Sequence, residues 1–216
     1  MKLSILGSGR VAYSVARRAI AAGHEIVIGT RDPSKIDRKK WLELPSVKFT
    51  SISEAGLDDV VLLAVPWEHV DHVLEQIPTW DRRILIDATN PFILGTPPRL
   101  LDLGGQNASL LISKKAPGAE VVKALNSIEM EIFDLGPKVK NGTRILFVSG
   151  DERRAKERVI DFIESLGFKT IDLGGLAEGG LIQQPARGKS NYNYQIFPLI
   201  PELRVQSNSQ GHIVRI

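Results

Sequence analysis

An α/β fold built on a doubly wound, mainly parallel sheet is what this sequence predicts, and three observations carry the prediction. Apolar, strand-length runs alternate with helix-period segments along most of the chain. One run, Val60, Val61, Leu62, Leu63, Ala64 and Val65, is continuously apolar, as suits a strand covered on both faces of a parallel sheet. The chain also opens on a strand that runs straight into a glycine turn and then a helix.

Taken in order, Leu3 to Leu6 form the first strand, followed by the turn Gly7-Ser8-Gly9-Arg10-Val11-Ala12. Val11, Val15, Ala16, Ala19 and Ile20 recur at three- and four-residue steps and give one apolar helix face that closes at Gly23, a natural left-handed terminus. Glu25 to Ile28 is the second strand, Pro33 to Leu44 reads as a short charged helix containing Trp41, and Val47 to Phe49 is a weak third strand. Ser53 to Leu57 is a turn or a single helical turn. The apolar run at 60–65 is the fourth strand and stops at Pro66, before a helix expected from about Glu68 to Ile77. Arg83 to Ala88 is the fifth strand, halted by Asn90 and Pro91. A Gly/Pro-rich passage over 95–105 leads to an ambiguous stretch at Leu110 to Lys115 and a sixth strand, Glu120 to Ala124. Strand, helix and strand follow once more over 144–148, 152–166 and 169–173. After Gly174 the composition shifts to glycine and then to Gln, Asn, Ser and Tyr. The expected division is therefore a main lobe over 1–174 and a small irregular C-terminal segment over 175–216, packed on that lobe or on a second subunit.

Composition narrows the chemistry. With 216 residues and 43% hydrophobic content the chain fills one core and has no room for a second full domain. It contains no cysteine, which excludes disulfides, thiolate metal sites and thiol nucleophiles. Basic residues are interspersed with acidic ones except around Arg31 to Lys40, so a nucleic-acid partner is not expected and a basic pocket for a phosphate fits better. No leader pattern opens the chain, and the apolar runs fall far short of the roughly 20 residues a membrane helix needs, so the expectation is a cytoplasmic protein with no membrane partner.

The glycine turn carries the most chemistry. Gly7 permits the tight turn, Gly9 lets the backbone approach a diphosphate without an intervening Cβ, and Ala12 allows the helix to pack closely on the strand. An ordinary glycine-rich strand-to-helix turn is the plainer alternative. The strand before the turn, the apolar helix after it and the second strand beyond favour a dinucleotide site of Rossmann type. At the end of the second strand, where an NAD-binding protein carries an acid for the adenosine ribose, stand Gly29, Thr30 and Arg31. A guanidinium that forks onto phosphate oxygens, with the hydroxyl of Thr30 and the ammonium of Lys35, makes a cradle for the 2′-phosphate of NADP(H). Asp32 is the residue that a slight shift would aim at the ribose hydroxyls instead.

Three further strand ends, Val65-Pro66-Trp67, Thr89-Asn90-Pro91 and Ala124-Leu125-Asn126, should face the same crevice, because ligands of open α/β sheets lie outside the carboxyl ends of the strands. His69 and His72 share one helix face and read as a surface pair rather than metal ligands, since a third ligand is missing nearby. No metal site is expected. Neither a Ser-His-Asp order nor a close carboxylate pair stands out, so no catalytic acid or base is singled out, and Asp87 is left without a role.

The runs ILGSGRVAYSVARRAIAAGHEIVIGTRDPSK, DDVVLLAVPWEHV, ILIDATNPF, EVVKALNSI and RILFVSGDERRAKERVIDFIESLGFKTIDLGGL resemble the NADPH-dependent oxidoreductases of the coenzyme F420 (8-hydroxy-5-deazaflavin) type. The reductase domains of the six-transmembrane metalloreductases are similar. The resemblance covers residues 2 to about 184. It implies a homodimeric oxidoreductase in which hydride passes directly between NADPH and a deazaflavin or flavin acceptor. It further implies that Gly7, Ser8, Arg10 and Val11 meet the diphosphate, beside the Gly9 already read from the turn, and that Thr30, Arg31 and Lys35 take the 2′-phosphate. Val65, Pro66 and Trp67 would line the nicotinamide side, with Asn90 and Pro91 near the acceptor. Hydride transfer between stacked rings needs positioning and exclusion of water rather than a protein acid. Beyond Gln184 the tail does not align, which leaves the acceptor open. Two other readings stand beside this one: an NADP-binding sensor or partner-binding module without turnover, and a short relative of the hydroxyacid dehydrogenases, prompted by Lys123 and Asn126.

Overall fold

The computed structural model describes residues 1–139 and 142–185, together with the backbone of three two-residue strands at 198–199, 206–207 and 213–214. The central strands are β1 (Lys2–Leu6), β2 (Glu25–Thr30), β3 (Lys48–Ser51), β4 (Val60–Leu63) and β5 (Ile84–Asp87). A small hairpin, β6 (Phe92–Ile93) and β7 (Arg99–Leu100), precedes β8 (Glu120–Ala124), β9 (Lys138–Val139), β10 (Gly142–Gly150) and β11 (Lys169–Asp172). Among the described residues the main sheet runs β3-β2-β1-β4-β5-β8-β10-β11. From β3 to β8 every neighbouring pair is parallel.

That order is the Rossmann one, and it creates a crevice. From β1 the chain winds outward through β2 and β3, then returns to place β4 on the other side of β1. Connections leave β1 and β4 in opposite directions, and a cleft opens above their carboxyl ends. The α/β Rossmann-type fold expected from the sequence is the fold observed. Helices α1 (Arg10–Ala21), α2 (Ile52–Ala55), α3 (Val70–Leu74), α4 (Ala108–Lys115), α5 (Met130–Asp134), α6 (Arg153–Ser165) and α7 (Leu181–Gln183) cover the sheet and its end.

Strand periodicity divides the core in two. Leu3, Ile5, Val60, Leu62, Ile84 and Ile86 point to one face, where Val15, Ala16, Phe162 and Ile163 of α1 and α6 cover them. Leu6, Val61, Leu63 and Leu85 point to the other, against Val73, Leu74 and Ile112. Because both faces are dry, each central strand reads as an unbroken apolar run rather than an alternating one.

Several elements differ from expectation. The segment 33–44 is two 3₁₀ turns, Pro33–Lys35 and Arg38–Trp41, each opened by an aspartate cap, Asp32 accepting from Ser34 N–H and Asp37 from Lys39 N–H, and the non-helical backbone at Ile36 and Asp37 splits the expected helix. Trp41 is buried and pins the second turn edge-on to Tyr13 and Phe49. The helix expected over 68–77 is a 3₁₀ turn, Trp67–His69, followed by the short α3. The ambiguous stretch at 110–115 lies in α4, which starts at an Asn107 cap that accepts from Ser109 and Leu110. β10 runs antiparallel to β8, a reversal that leaves no trace in strand hydropathy.

Beyond Gly174, a π-helical turn (Leu176–Gly180) and α7 are built into the main lobe, where Leu176, Gly179, Gly180 and Gln183 are buried. The rest of the C-terminal segment, from 186, lies outside the described residues apart from the strand pairs given above. No helix among the described residues is long and apolar enough to cross a membrane.

Candidate cofactor site and the polar network beside it

The glycine turn has one forced position and one open one. Gly7 adopts φ +112°, and a Cβ there would lie closer than 3.0 Å to the carbonyl oxygen of Ala64, so only glycine fits where the turn crosses β4. Gly7 N–H donates to the Gly29 carbonyl at 2.9 Å, which ties the turn to β2. Gly9, by contrast, has ordinary extended backbone, and a Cβ there would meet nothing within 4 Å. It caps α1 without a side-chain acceptor and with no acidic residue in the first turn. The first α1 bond is Tyr13 N–H to Gly9 O at 3.1 Å, so the N–H groups of Arg10, Val11 and Ala12 lack intrahelical acceptors at the positive end of the helix dipole. Open amides at a helix N-terminus, with free space beside them, suit an anion.

The turn forms one side of a cleft of about 230 Å³. Thr30 and Arg31 form the β2 side, Ile52 and Val73 supply apolar surface, and Ala64, Val65 and Pro66 come from the end of β4. His69 and His72 complete the wall, and among the described residues no carboxylate lines it. Of the predicted site residues, Gly7, Ser8, Gly9, Thr30, Arg31, Val65 and Pro66 are thus brought together.

The others sit differently. The Arg10 guanidinium is turned away to Glu131 at 2.9 Å and Asp134 at 3.5 Å on α5, so the position offers the cleft a backbone amide. Val11 is partly buried against the core and offers the same. Lys35 is highly exposed and paired with Asp32 at 3.0 Å, off the cleft wall. Asp32 is occupied locally, its Oδ1 accepting from Ser34 N–H at 3.0 Å and Ser34 Oγ at 2.6 Å. Those bonds and Lys35 hold its carboxyl below the ordinary range, and it serves as a turn cap rather than a ribose ligand. Trp67 faces a neighbouring hollow with Glu68, Asp102 and Leu103. Sequence reasoning passed over Lys40, whose Nζ donates to the Ser8 carbonyl at 3.3 Å and sets a cation beside the turn. The basic stretch before Trp41 was its only signal.

At the carboxyl ends of β5 and β8 lies a polar network that the sequence did not reveal. Lys123 and Asp87 are buried and paired at 3.0 Å, and Lys123 also donates to the Thr89 carbonyl. The other Asp87 oxygen accepts from Thr89 N–H at 2.9 Å and Thr89 Oγ1 at 2.7 Å. Burial pulls the Lys123 ammonium below its ordinary range, against the opposing pull of the Asp87 charge. Next to this pair, Asn90 Nδ2 donates to the Asn126 carbonyl at 2.8 Å and Asn126 Nδ2 to Asn90 Oδ1 at 3.0 Å. Gln183 closes the network: its Nε2 donates to Asn126 Oδ1 at 3.1 Å and its Oε1 accepts from Ser149 at 2.6 Å. Asn90 and the buried Pro91 therefore stand on a braced platform at the sheet end. Asp87 and Lys123 are 36 residues apart in sequence, and nothing in either neighbourhood announces the other.

A mainly parallel sheet of this order, with an amide-rich glycine turn and a cationic β2 end on one cleft, is the arrangement of a Rossmann-type dinucleotide-binding fold. Residues 2–91 match the family model described as NADP oxidoreductase, coenzyme F420-dependent. The chain is similar to this family over those residues, which carry β1 to β5 and the glycine turn. It is 28% identical to the F420-dependent NADP reductase of Methanothermobacter thermautotrophicus, an alignment covering 100% of this chain and 94% of that one. It is 33% identical to the metalloreductase STEAP3 of Rattus norvegicus, over 82% of this chain but 34% of the relative, so it spans about a third of the length of that protein. Among solved structures, a hypothetical protein, SMa0349, from Sinorhizobium meliloti superposes with a TM-score of 0.79 at 34% identity, covering 87% of this chain and 91% of that one.

Proposed function

We propose that this chain transfers hydride between NADPH and a deazaflavin of the F420 class, with a flavin as the next acceptor in order. The observation that carries the proposal is the cleft itself, in which the open amides of the glycine turn and the Arg31 guanidinium share a wall that, among the described residues, carries no carboxylate. In this reading the turn amides bind the diphosphate and Thr30 and Arg31 take the 2′-phosphate, with Lys35 joining from its exposed turn. Val65 and Pro66 form the nicotinamide side, and Asn90 and Pro91 the acceptor side. NADPH, when bound, supplies the hydride; the acceptor gains two electrons and one proton with it, and any second proton comes from solvent. The protein's part is to hold two rings face to face and keep water out, which asks for no acid or base at the reacting carbon.

The F420-dependent relative, aligned over nearly the full length of both chains, supports the deazaflavin. The metalloreductase relative supports a flavin, since a hydride carries two electrons and ferric iron accepts one. The test follows absorbance at the nicotinamide band while F420, FMN, FAD, ferric chelates and small ketones are offered in turn. NADPH consumption with F420 or a flavin is expected. Tight NADPH binding with no consumption by any acceptor would replace the proposal with the sensor reading.

A further inference from the structure

Two consecutive glutamines, Gln183 and Gln184, close α7, and one of them faces the sheet end. Glycine brings them there. A Cβ on Gly179 would lie 2.6 Å from Ser149 Cβ and 2.7 Å from the Leu173 carbonyl oxygen, and one on Gly180 would lie 3.3 Å from Ser109, so the π-helical turn packs on its neighbours at backbone distance. Asn107, the cap of α4, lashes that turn down by donating to the Leu176 and Ala177 carbonyls at 2.7 and 3.2 Å. Gln184 stays on the α4 side, its Oε1 accepting from Ala108 N–H at 2.7 Å. Gln183 turns inward and is buried. Its Nε2 faces three oxygens, Asn126 Oδ1 at 3.1 Å and the Phe147 and Lys123 carbonyls at 3.2 and 3.4 Å. Its Oε1 accepts from the Ser149 hydroxyl, so the amide has one orientation.

That orientation is passed on. Gln183 occupies Asn126 Oδ1, which leaves Asn126 Nδ2 to donate to the Gln183 carbonyl and to Asn90 Oδ1, both at 3.0 Å. Asn90 Nδ2 in turn donates to the Asn126 carbonyl. A reversed Asn126 amide would set nitrogen against nitrogen at Gln183 and oxygen against oxygen at Asn90, leaving buried polar atoms unpaired. Among the described residues this leaves the half-buried Asn90 side chain one amide hydrogen and one carbonyl lone pair, enough to meet a carbonyl and an N–H side by side on a ring edge. We infer that Gln183 is a positioning residue for the hydride acceptor: acting through Asn126, it fixes the amide edge that Asn90 presents to a flavin-like ring. The inference rests on the acceptor side proposed above and deepens it. Gln183 does not line the cofactor cleft, so its effect falls on the acceptor and spares the dinucleotide. An apolar side chain of the same length would fill the same space, whereas a fully paired amide in a dry site specifies a single arrangement of its neighbours.

The experiment measures steady-state kinetics with F420 and with FMN as acceptor, and NADP⁺ affinity by calorimetry, for the wild-type chain, Gln183→Met and Gln184→Met. Gln183→Met keeps the length of the side chain and removes every polar contact of its amide, while Gln184→Met loosens α7 from α4 and leaves the Asn126 contacts alone. Gln183→Met is expected to lower kcat/KM for the acceptor roughly ten- to a hundredfold, as for an acceptor held out of alignment, with NADP⁺ affinity within about twofold of wild type. Gln184→Met should match the wild type in both. Unchanged acceptor kinetics in Gln183→Met, an equal loss in Gln184→Met, or a parallel loss of NADP⁺ affinity would each make Gln183 a packing residue only and overturn the inference, while the hydride-transfer reading stands. If circular dichroism shows that Gln183→Met does not fold, Ser149→Ala takes its place. It deletes only the hydroxyl that orients the Gln183 amide, and kcat/KM for the acceptor should fall about threefold; a value equal to wild type overturns the inference. A wild-type chain that passes hydride to neither F420 nor FMN removes the parent reading, and this inference with it.

Discussion

Substituting alanine at the two glycines of the first turn should separate folding from binding. At Gly7 the backbone sits at φ +112°, and the new methyl would press within 3.0 Å of the Ala64 carbonyl oxygen. Positive φ costs an L-residue about 1–2 kcal/mol and overpacking against backbone adds about 1–3. Gly7→Ala should therefore lose about 2–5 kcal/mol, which for a chain of this size lowers Tm by roughly 4–20 °C. At Gly9 the methyl meets nothing within 4 Å and the backbone is ordinary, so stability should stay within about 1 kcal/mol of wild type. The same methyl occupies the space a diphosphate needs to reach the amides of Arg10 to Ala12. Losing one or two charge-assisted hydrogen bonds costs about 2–4 kcal/mol, or roughly 30- to 1000-fold in affinity. Urea melts paired with NADP⁺ calorimetry read both quantities. A Gly9→Ala protein that binds NADP⁺ like the wild type would refute the assignment of that space to the diphosphate.

Other perturbations test other parts of the site. Arg31→Ala should weaken NADPH roughly ten- to a hundredfold and NADH by no more than about twofold in a parallel titration, because one ligand alone carries the extra phosphate; equal losses would contradict the 2′-phosphate assignment. Lys123→Met strands a buried carboxylate on Asp87, so urea unfolding should show a loss of about 3–5 kcal/mol, much of it restored when Asp87→Asn is added. The Asp32 carboxyl, whose folded titration is depressed mainly by Ser34, should titrate below the ordinary carboxylate range by ¹³C NMR and move back toward it in Ser34→Ala. With that sign, its support for the Pro33–Lys35 turn is present at neutral pH and fades as pH falls through the folded midpoint.

What could be read in advance was whatever depends on local pattern. The strands at 2–6, 60–63 and 120–124 are covered on both faces, so burial wrote itself into the sequence as apolar runs, and the glycine turn carried its own steric logic at Gly7. What escaped depends on long-range geometry. Asp87 meets Lys123 only because β5 and β8 lie side by side in register, and Gln183 reaches Asn126 and Ser149 only because the π-helical turn brings the chain back over the sheet end. The reversed direction of β10 was invisible for a related reason, since a strand buries the same side chains whichever way it runs. His69 and His72 look like solvent-facing residues by spacing, and they are exposed; that they line the cleft beside the glycine turn follows from topology, not from local pattern.

The central claim is that the cleft between the glycine turn and the β2 end holds NADP by its diphosphate and its 2′-phosphate. A crystal structure of the protein with NADP⁺ tests it most directly. Diphosphate oxygens within hydrogen-bond distance of the Arg10 to Ala12 amides, and the 2′-phosphate against Thr30 and Arg31, are the expected result. A dinucleotide seated elsewhere, or one in this cleft with its 2′-phosphate pointing into solvent away from Arg31, would contradict it.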